Sequence, residues 1–234
     1  MRENELKSYL KSLGVALVGF ADLNSVNTSL HNNLKYGIAF AIKFKPKIIQ
    51  DIYEGPTKEY YEEYKKINKE LDDIAISCVE YIEKQGYSAL AQTSTYVTSD
   101  YNLTTYLPHK TVATRAGMGW IGKNALLITQ QYGSAVRISS VLTDMPVIPD
   151  MPINDSRCGK CSKCVEACPA TAIKGTSWNI NSTRGEILDP FKCRKKAREL
   201  LKQRVGVEMS LCGKCIEVCP YTQQYIKRNS NRYD

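Results

Sequence analysis

Hydrophobic residues near the start of the chain recur with the periods of helices and of strands in turn. Apolar positions every three or four residues predict a first helix over 3–13, ended by Gly14. Two apolar runs, at 15–20 and 36–44, have the length of strands. Apolar residues at helical spacing over 57–85, closed by Gly86, predict a long amphipathic helix. The opening segment is therefore predicted to mix helices with strands.

Beyond Gly86 the pattern is less regular. Residues 87–106 are polar and aromatic without a clear period, which predicts a strand followed by a loop. A short helix and two strands are predicted next, at 111–116, 125–129 and 135–142. The proline-rich stretch 146–152 is typical of a linker. The chain of 234 residues is thus predicted to form two domains, 1–145 and 146–234.

The second predicted domain holds eight of the nine cysteines, seven of them in two runs. The first run is Cys-x2-Cys-x2-Cys-x3-Cys-Pro, the second is Cys-x2-Cys-x3-Cys-Pro, and Cys193 lies alone between them. The first spacing is that of bacterial ferredoxins, in which three cysteines ligate one 4Fe-4S cluster and the fourth ligates another. A full second run would need a cysteine at position 209, where the chain has Met209. Cys193 is therefore predicted to supply the missing ligand.

The same crossover rule predicts two complete sets of four thiolates. Cluster one takes Cys158, Cys161, Cys164 and Cys219, and cluster two takes Cys168, Cys193, Cys212 and Cys215. Structural zinc sites usually pair two separated Cys-x2-Cys units, so zinc is the weaker alternative. A disulfide framework suits small secreted chains, whereas a chain of this length forms a core without such links. The ninth cysteine, Cys78, lies on the apolar stripe of the long helix and is predicted to be a core residue.

Positive charge is concentrated towards the C-terminus. The formal net charge is +8, and residues 191–234 contain eleven Lys and Arg against four Asp and Glu. Such a surface suits an acidic electron donor such as a flavodoxin or ferredoxin, or offsets the negative charge of two clusters. RNA binding is the weaker alternative, because no aromatic-interleaved nucleic-acid motif is present. The acidic N-terminus and the short apolar runs predict a cytoplasmic protein with no membrane partner.

A glycine-rich octapeptide occupies residues 117–124. Gly117, Gly119 and Gly122 match G-x-G-x-x-G, and the stretch matches the P-loop pattern except for Asn124 at its last position. Both nucleotide motifs need a strand before the glycines and a helix after them, whereas here the predicted order is helix, glycines, strand. We therefore reject both. Two interpretations remain, close approach of the backbone to a ligand or a tight turn packed on Trp120.

The string Arg-Ala-Gly-Met-Gly-Trp-Ile-Gly-Lys-Asn at 115–124 precedes Thr143-Asp144 and the arrangement of four, one and three cysteines. In this combination the chain resembles the epoxyqueuosine reductase family, as a short divergent member without the family's C-terminal helical-repeat domain. The resemblance implies an α+β fold, with an N-terminal α/β sandwich of the nitroreductase-like cobalamin-binding type followed by a ferredoxin-like double 4Fe-4S domain. It also implies cobalamin as a cofactor. The residues implied to bind it are Lys110, Arg115, Gly117, Gly119, Trp120, Gly122, Lys123 and Asn124, although solvated charges are an equal alternative for the three cations.

The family has an acidic proton donor in an Asp-Ser/Thr-x-Pro motif ahead of this string. Leu103 stands here at the position of the Asp, and Tyr106 at that of the Pro. The candidate donors in the same loop are His109, Tyr106 and Asp100. For His109 a capping or surface role is the alternative.

Three functions remain open from the sequence. The leading hypothesis is a cobalamin-dependent iron-sulfur oxidoreductase related to epoxyqueuosine reductase, which passes electrons through its clusters to act on a small molecule. The second is an electron-transfer or cobalamin-handling protein without a substrate of its own. The third is reduction of epoxyqueuosine in tRNA, which ranks last because the acid is replaced and because larger family members use the helical-repeat domain to grip tRNA.

Overall fold

The computed structural model describes residues 2–26, 34–93, 103 and 105–230. In chain order the elements are α1 (Arg2–Ser12), β1 (Leu17–Asp22), β2 (Tyr36–Lys43), α2 (Pro46–Gln50), a 3-10 helix (Asp51–Glu54), α3 (Lys58–Glu83), β3 (Ala89–Ala91), α4 (His109–Arg115), β4 (Trp120–Ile121), β5 (Leu127–Ile128), β6 (Val136–Thr143), α5 (Lys163–Glu166), α6 (Arg184–Ile187), α7 (Pro190–Val205), α8 (Lys214–Glu217) and α9 (Pro220–Ser230).

The chain divides into two compact units, each assembled from three stretches. The first unit comprises Met1–Lys43, Lys66–Gly119 and Arg137–Ile153, and the second comprises Phe44–Lys65, Trp120–Val136 and Asn154–Asp234. The boundary between the units falls inside the glycine-rich octapeptide, after Gly119. The mixed α and β composition agrees with the predicted fold class, whereas the functional division at residue 146 stays a prediction.

The first unit is built on a four-stranded sheet in the order β1-β2-β6-β3. β1 runs antiparallel to β2 with Leu17 opposite Ala41, and β3 runs antiparallel to β6 with Ala89 opposite Thr143. Residues 38–41 of β2 are fully buried, as expected for a strand covered on both faces. The helix α4 packs against β1 and β2. This packing places the start of α4, at His109, on the sheet.

The long helix α3 carries the predicted apolar stripe. Ile67, Leu71, Cys78 and Ile82 are all buried along it. Burial raises the pKa of the Cys78 thiol to about 12, so this cysteine is an inert core residue, as predicted. The helix ends shortly before Gly86, whose φ of 84° lies in the left-handed region typical of a helix C-terminus.

The second unit consists of short helices around one hairpin. β4 and β5 pair antiparallel with Trp120 opposite Ile128, and α2 packs against α8 and α9. The hydroxyl of Tyr225 on α9 donates to the Phe44 carbonyl at 2.7 Å. A separate apolar cluster of Ala125, Ala172, Ile173, Ile187 and Leu188 has several of the cysteines packed against it. Cys164, Cys168, Cys193 and Cys215 therefore lie against an apolar surface.

Two elements differ from the pattern-based prediction. The strand expected over 125–129 is only Leu127–Ile128, because Ala125 has a φ of 59° and turns the chain. The helix α2 after Lys45 was not predicted, although Pro46 suits the first position of a helix. Most of the loop predicted before residue 106 lies outside the described residues. No helix in the described part of the chain is both long and apolar enough to cross a membrane.

Candidate iron-sulfur centres and polar site

Four cysteines from both runs line one cavity in the second unit. These are the cysteines of the first predicted set, Cys158, Cys161, Cys164 and Cys219. Burial raises the pKa of the Cys164 thiol to about 11, and the other three thiols of the set raise it further by repelling its charged form. The first and last cysteines of this set, 61 residues apart in the sequence, thus act on one thiol in the fold.

The other four cysteines form a second group in the same unit. Burial raises the pKa of Cys193, and the adjacent thiols of Cys168 and Cys212 raise it further. Burial also raises the pKa of Cys215 well above its usual value, and Cys212 and Cys193 are the next largest causes. The structure thus brings Cys193, which lies outside both runs, to the cysteines of the second predicted set.

Local turns position the thiols within each run. The one-turn helices α5 and α8 place Cys164 and Cys215 at equivalent second positions, and a proline follows the last cysteine of each run. The amide of Cys161 donates to the Cys158 carbonyl at 3.2 Å, which closes a tight turn at the start of the first run. These turns depend on sequence spacing alone, and for this reason the motif can be recognised from the sequence.

The chemistry of each group fits an iron-sulfur cluster. The pKa values of Cys164 and Cys215, one thiol in each group, are raised, because a thiolate there would be poorly hydrated and close to other thiols. A bound cation reverses this preference, since a coordinating thiol is deprotonated outright. A 4Fe-4S cluster takes four cysteine thiolates, the number present in each group. The ligand role of the individual cysteines stays a prediction that this grouping supports.

Two residues of the glycine-rich octapeptide contact the cysteine loops within the second unit. The Lys123 ammonium donates to the carbonyls of Gly159 and Cys161 at 2.9 and 3.0 Å. The Asn124 amide donates to the Cys215 carbonyl at 3.2 Å. Lys123 and Asn124 also line the cavity of the first thiol group. Their predicted role toward cobalamin remains untested, whereas these contacts to the cysteine loops were not foreseen.

The glycines of the octapeptide make room for the protein itself. A Cβ on Gly117, whose φ is 63°, would lie 2.6 Å from the Met151 carbonyl oxygen. A Cβ on Gly122 would overlap the side chain of Ile128 across the hairpin. Gly119 is buried directly before β4. At Gly117 and Gly122, the packing of the chain on itself is therefore a sufficient reason for glycine.

The remaining candidates of the string are packed inside their own units. Trp120 is 1% exposed and packs edge-on against Tyr221, with the Arg157 guanidinium 5.6 Å from its ring centre. Arg115 is buried and donates to the Ile153 carbonyl at 2.6 Å, and burial lowers the pKa of its guanidinium. Lys110 is half-buried on α4. Of the three predicted cations, Arg115 and Lys123 are thus buried rather than freely solvated.

His109 belongs to a polar network inside the first unit. Its Nδ1 lies 2.9 Å from the Ser140 hydroxyl, which in turn donates to the Gln92 side-chain oxygen at 2.5 Å. The Gln92 amide nitrogen donates to the Leu107 carbonyl at 3.4 Å, which orients the amide. Because the single Ser140 proton goes to Gln92, His109 must donate from Nδ1, and Nε2 carries the lone pair. The network therefore selects one tautomer of the imidazole.

The electrostatic setting keeps this imidazole neutral. Burial, and after it the positive charge of Arg137, lower the pKa of His109 to about 4, and Asp72 opposes this shift. At neutral pH the ring is therefore uncharged, with its one N–H engaged by Ser140. The capping role is not observed, because the contact made by His109 is to a strand residue rather than to its own helix.

The other candidate donors differ in accessibility. Tyr106 is 83% exposed. Leu103, at the position of the family's acid, has a φ of 60° in the left-handed region. Asp100 lies outside the described residues. Only His109 and Tyr106 can therefore be placed, and their role as proton donors stays a prediction.

Sequence patterns did not reveal Gln92 and Ser140 as members of a site. Both are buried, at 2% and 0% exposure, and each lies in or directly beside a strand. Two adjacent serines, Ser139 and Ser140, on one strand are only weak evidence for a functional site, since small hydroxyl residues are common in sheets. Their proximity depends on the pairing of β3 with β6.

The comparisons with known proteins agree with the grouping of the cysteines. Residues 157–222 match the family described as "4Fe-4S double cluster binding domain". The epoxyqueuosine reductase of Listeria monocytogenes is 40% identical over 114 residues, which cover 48% of this chain and 29% of that protein. That of Lactococcus garvieae is 29% identical over 148 residues, 61% of this chain and 41% of that protein. The matched segments thus span less than half of these relatives.

Solved structures extend the likeness to the whole fold. An epoxyqueuosine reductase bound to an epoxyqueuosine-modified tRNA stem loop has a TM-score of 0.61 at 22% identity and covers 94% of this chain and 65% of that one. A catabolic reductive dehalogenase with 3-bromo-4-hydroxybenzoic acid has a TM-score of 0.70 at 18% identity, covering 93% of this chain and 31% of that one. At these identities the likeness concerns the fold alone. The resemblance to epoxyqueuosine reductases is thereby confirmed, for a chain that shares their fold and contains a double 4Fe-4S cluster binding domain.

Proposed function

We propose that this protein is a cobalamin-dependent iron-sulfur oxidoreductase related to epoxyqueuosine reductase. The observation that carries the proposal is the gathering of eight cysteines into two groups of four inside the matched double-cluster segment. The chain also shares its fold with a reductive dehalogenase whose structure concerns B12-dependent dehalogenation, at a TM-score of 0.70 over 97% of this chain. In the proposal, residues 1–145 are a cobalamin domain of the nitroreductase-like type and 146–234 are the cluster domain.

Unsatisfied polar groups in the first unit are compatible with such a cofactor. The Thr105 hydroxyl oxygen is buried without a hydrogen-bond partner among the described residues. His109 contacts Ser140 through Nδ1, so its Nε2 carries the lone pair and is an acceptor. A cofactor rich in amide groups would offer donors to both atoms, and burial of the Thr105 hydroxyl without a partner is unfavourable. When bound, cobalamin would supply low-valent cobalt chemistry that amino-acid side chains lack.

The residues of this chain would orient the substrate and manage a proton. His109 is neutral at pH 7 with its N–H held by Ser140, so its Nε2 is suited to accept a proton or a hydrogen bond rather than to donate one. Tyr106 is exposed, and its phenol O–H is a hydrogen-bond donor. Of the two placed candidates, we therefore propose Tyr106 as the proton donor and His109 as an acceptor that positions the reacting group.

Binding of cobalamin is tested with anaerobically reconstituted protein. We expect addition of cob(II)alamin to change its visible and EPR spectra at one equivalent per chain. A matched pair of variants, His109→Leu and Cys78→Ala, separates the polar site from a general loss of fold. The first is expected to weaken binding and the second to leave it unchanged. Absence of any spectral change in the wild-type protein would refute the cobalamin proposal.

A small molecule is the substrate that we propose first. The replacement of the family's acid by Leu103 removes a group used on epoxyqueuosine, and the dehalogenase fold accommodates a substrate of the size of a substituted benzoic acid. Reduction of epoxyqueuosine in tRNA is an equal candidate, because curated relatives at 40% and 35% identity are epoxyqueuosine reductases. The two candidate substrates, a small molecule and tRNA, differ in size and in charge.

A binding measurement separates the two substrates. If tRNA is the substrate, affinity for a stem loop falls steeply with salt as phosphate contacts are lost, and queuosine appears when the reduced protein is added. If a small molecule is the substrate, the stem loop does not bind at low salt. A protein that binds cobalamin and reduces neither class of substrate would instead match the electron-transfer or cofactor-handling alternative.

The helix α7 is the proposed contact of an acidic electron donor such as a flavodoxin or ferredoxin. Its 16 residues include seven Lys and Arg and one Glu, so most of the positive charge near the C-terminus belongs to this helix. A groove of about 490 Å³ lies along it, where Arg198 and Lys202 pair with Glu208 and Arg194 and Lys195 are exposed. Cys193 lies on the same helix, so the proposed donor contact and one thiol of the second group belong to a single helix.

Reduction kinetics test this contact. We expect the double variant Arg194→Glu, Lys195→Glu to be reduced by flavodoxin at least about tenfold more slowly at low salt, because steering by complementary charge is lost. Reduction by dithionite should stay unchanged. The control, Lys11→Glu with Lys84→Glu, has the same change of net charge at exposed positions elsewhere. Equal slowing in both double variants would exclude α7 as the contact.

A further inference from the structure

We propose that Lys123 supplies the positive charge that balances cluster one and raises its reduction potential relative to a neutral side chain. The inference requires the double-cluster domain and is independent of cobalamin and of the substrate. In this proposal Lys123 is not a ligand of the cluster, and it acts on the reduction potential through its charge.

The first observation is the burial of a charged side chain without a carboxylate partner. Lys123 is only 9% exposed. Its ammonium donates to two main-chain carbonyls, those of Gly159 and Cys161. None of the ion pairs found among the described residues includes it. Carbonyl oxygens satisfy N–H groups but do not neutralise the charge, so burial of this cation alone is unfavourable.

The second observation is the location of the compensating charge. Lys123 lines the same cavity as the four thiols of the first group. A cluster with four thiolate ligands is anionic and becomes more negative by one charge on reduction. A buried cation beside it therefore stabilises the reduced form more than the oxidised form. Net charge and hydrogen bonding around the sulfurs are among the factors that set such potentials.

The third observation is an asymmetry between the two thiol groups. The residue next to Lys123 is Asn124, whose neutral amide donates to the carbonyl of Cys215 in the second group. The hairpin thus presents a charged donor to the loop of the first group and a neutral donor to the second. Removing the charge at position 123 should therefore change the reduction potential of cluster one much more than that of cluster two.

The test is an anaerobic redox titration of both clusters, followed by EPR, in Lys123→Gln, Lys123→Arg and the wild-type protein. We expect Lys123→Gln to lower the equilibrium constant for reduction of cluster one at least tenfold, which corresponds to 59 mV for one electron. Lys123→Arg should keep most of the wild-type value. The equilibrium constant for reduction of cluster two should change less than threefold in both variants.

Lys160 provides a matched control. It precedes Cys161 directly but is exposed, so water screens its charge. Lys160→Gln should change the equilibrium constant for reduction of cluster one less than threefold. An effect equal to that of Lys123→Gln would overturn the proposal, as would an unchanged potential in Lys123→Gln or an equal shift of both clusters.

Iron content covers the case in which a variant does not assemble. Loss of cluster one from Lys123→Gln with retention in Lys123→Arg would support the proposal, because the positive charge is what these two variants do not share. Loss of the cluster from both variants would overturn it, since preserving the charge would then have no effect. Neither readout depends on turnover, so a failure of the proposed function would leave this test intact.

Discussion

The thiol groups of the second unit and the polar network of the first unit are both buried and both polar, yet they are built in opposite ways. Seven of the eight thiols come from two short runs, in which one-turn helices set the spacing. The network joins Gln92, His109 and Ser140, which lie 17 and 31 residues apart and share no motif. A site made of local turns leaves a pattern in the sequence, whereas a site made by strand pairing does not.

The two sites also differ in what burial does to their titrating groups. Burial raises the pKa of five of the thiols, and a coordinated metal ion would displace their protons. The five are Cys164, Cys193, Cys212, Cys215 and Cys219. Burial lowers the pKa of His109, which keeps the imidazole neutral with no metal required. The thiol groups therefore depend on a cofactor for their function, whereas the protein alone keeps His109 neutral.

The largest expected effect is on the cluster side of this comparison. Cys193→Ala should reduce iron from about eight to about four atoms per chain, because cluster two loses its ligand outside the runs. The control is Cys78→Ala, which removes the one cysteine that is not in either group and should leave iron unchanged. Iron and sulfide analysis with EPR measures both variants. Full loading of Cys193→Ala would mean that the second group has been wrongly assigned.

A pH dependence of stability is expected on the side of the network. The pKa of His109 is about 4 in the fold, below the usual 6.5, so the unfolded chain binds the proton more tightly. The native state is therefore favoured fully above pH 6.5 and loses stability as the pH falls toward 4, by about 2 kcal/mol at pH 5.

Denaturant unfolding between pH 5 and 7.5 checks this dependence, with His109→Asn as the matched variant. Asn keeps an N–H near the position of Nδ1 but does not titrate, so its stability should vary less over this range. Parallel pH profiles for the two proteins would argue against a neutral buried imidazole.

Removal of the central hydroxyl tests the network itself. Ser140→Ala leaves both the His109 N–H and the Gln92 oxygen without a partner, which should destabilise the fold by about 2 kcal/mol. Ser139→Ala on the same strand removes one longer bond, to the Gln92 carbonyl at 3.3 Å, and should cost about 1 kcal/mol. The difference between the two midpoints of unfolding is the relevant measurement. Equal costs would show that burial of the strand, and not the network, determines the effect.

The smallest expected effect concerns the helix that carries Cys193. Asp189 caps α7 by accepting hydrogen bonds from the amides of Phe191 and Lys192. Asp189→Ala should destabilise the protein by about 1 kcal/mol, and Asp189→Asn should restore most of this loss. Iron content should stay complete in both. Cluster loss in Asp189→Ala would instead indicate that the cap holds the Cys193 thiol in place.

Much of the architecture followed from hydrophobic patterning, and the exceptions have physical causes. The helices α1 and α3 and the strands β1, β2 and β6 appear within a few residues of their predicted bounds, because a period of 3.6 or a continuous apolar run reflects one buried surface. The strand at 125–129 shortened because Ala125 adopts a positive φ that its composition does not signal. The helix α2 was missed because a proline can end a strand and begin a helix equally well.

The sequence alone determined the thiol spacing within each run and the glycines that permit tight turns, because each depends on residues within about a turn of one another. Cys193 was predicted as the substitute ligand in another way, by counting the thiolates that two clusters need. Only the tertiary structure decided where Lys123 and Asn124 donate, 36 to 91 residues further along the chain, and which tautomer His109 adopts. Those outcomes depend on which loops and strands contact one another in the fold. The packing of the whole unit, and not any local pattern in the sequence, stabilises these contacts.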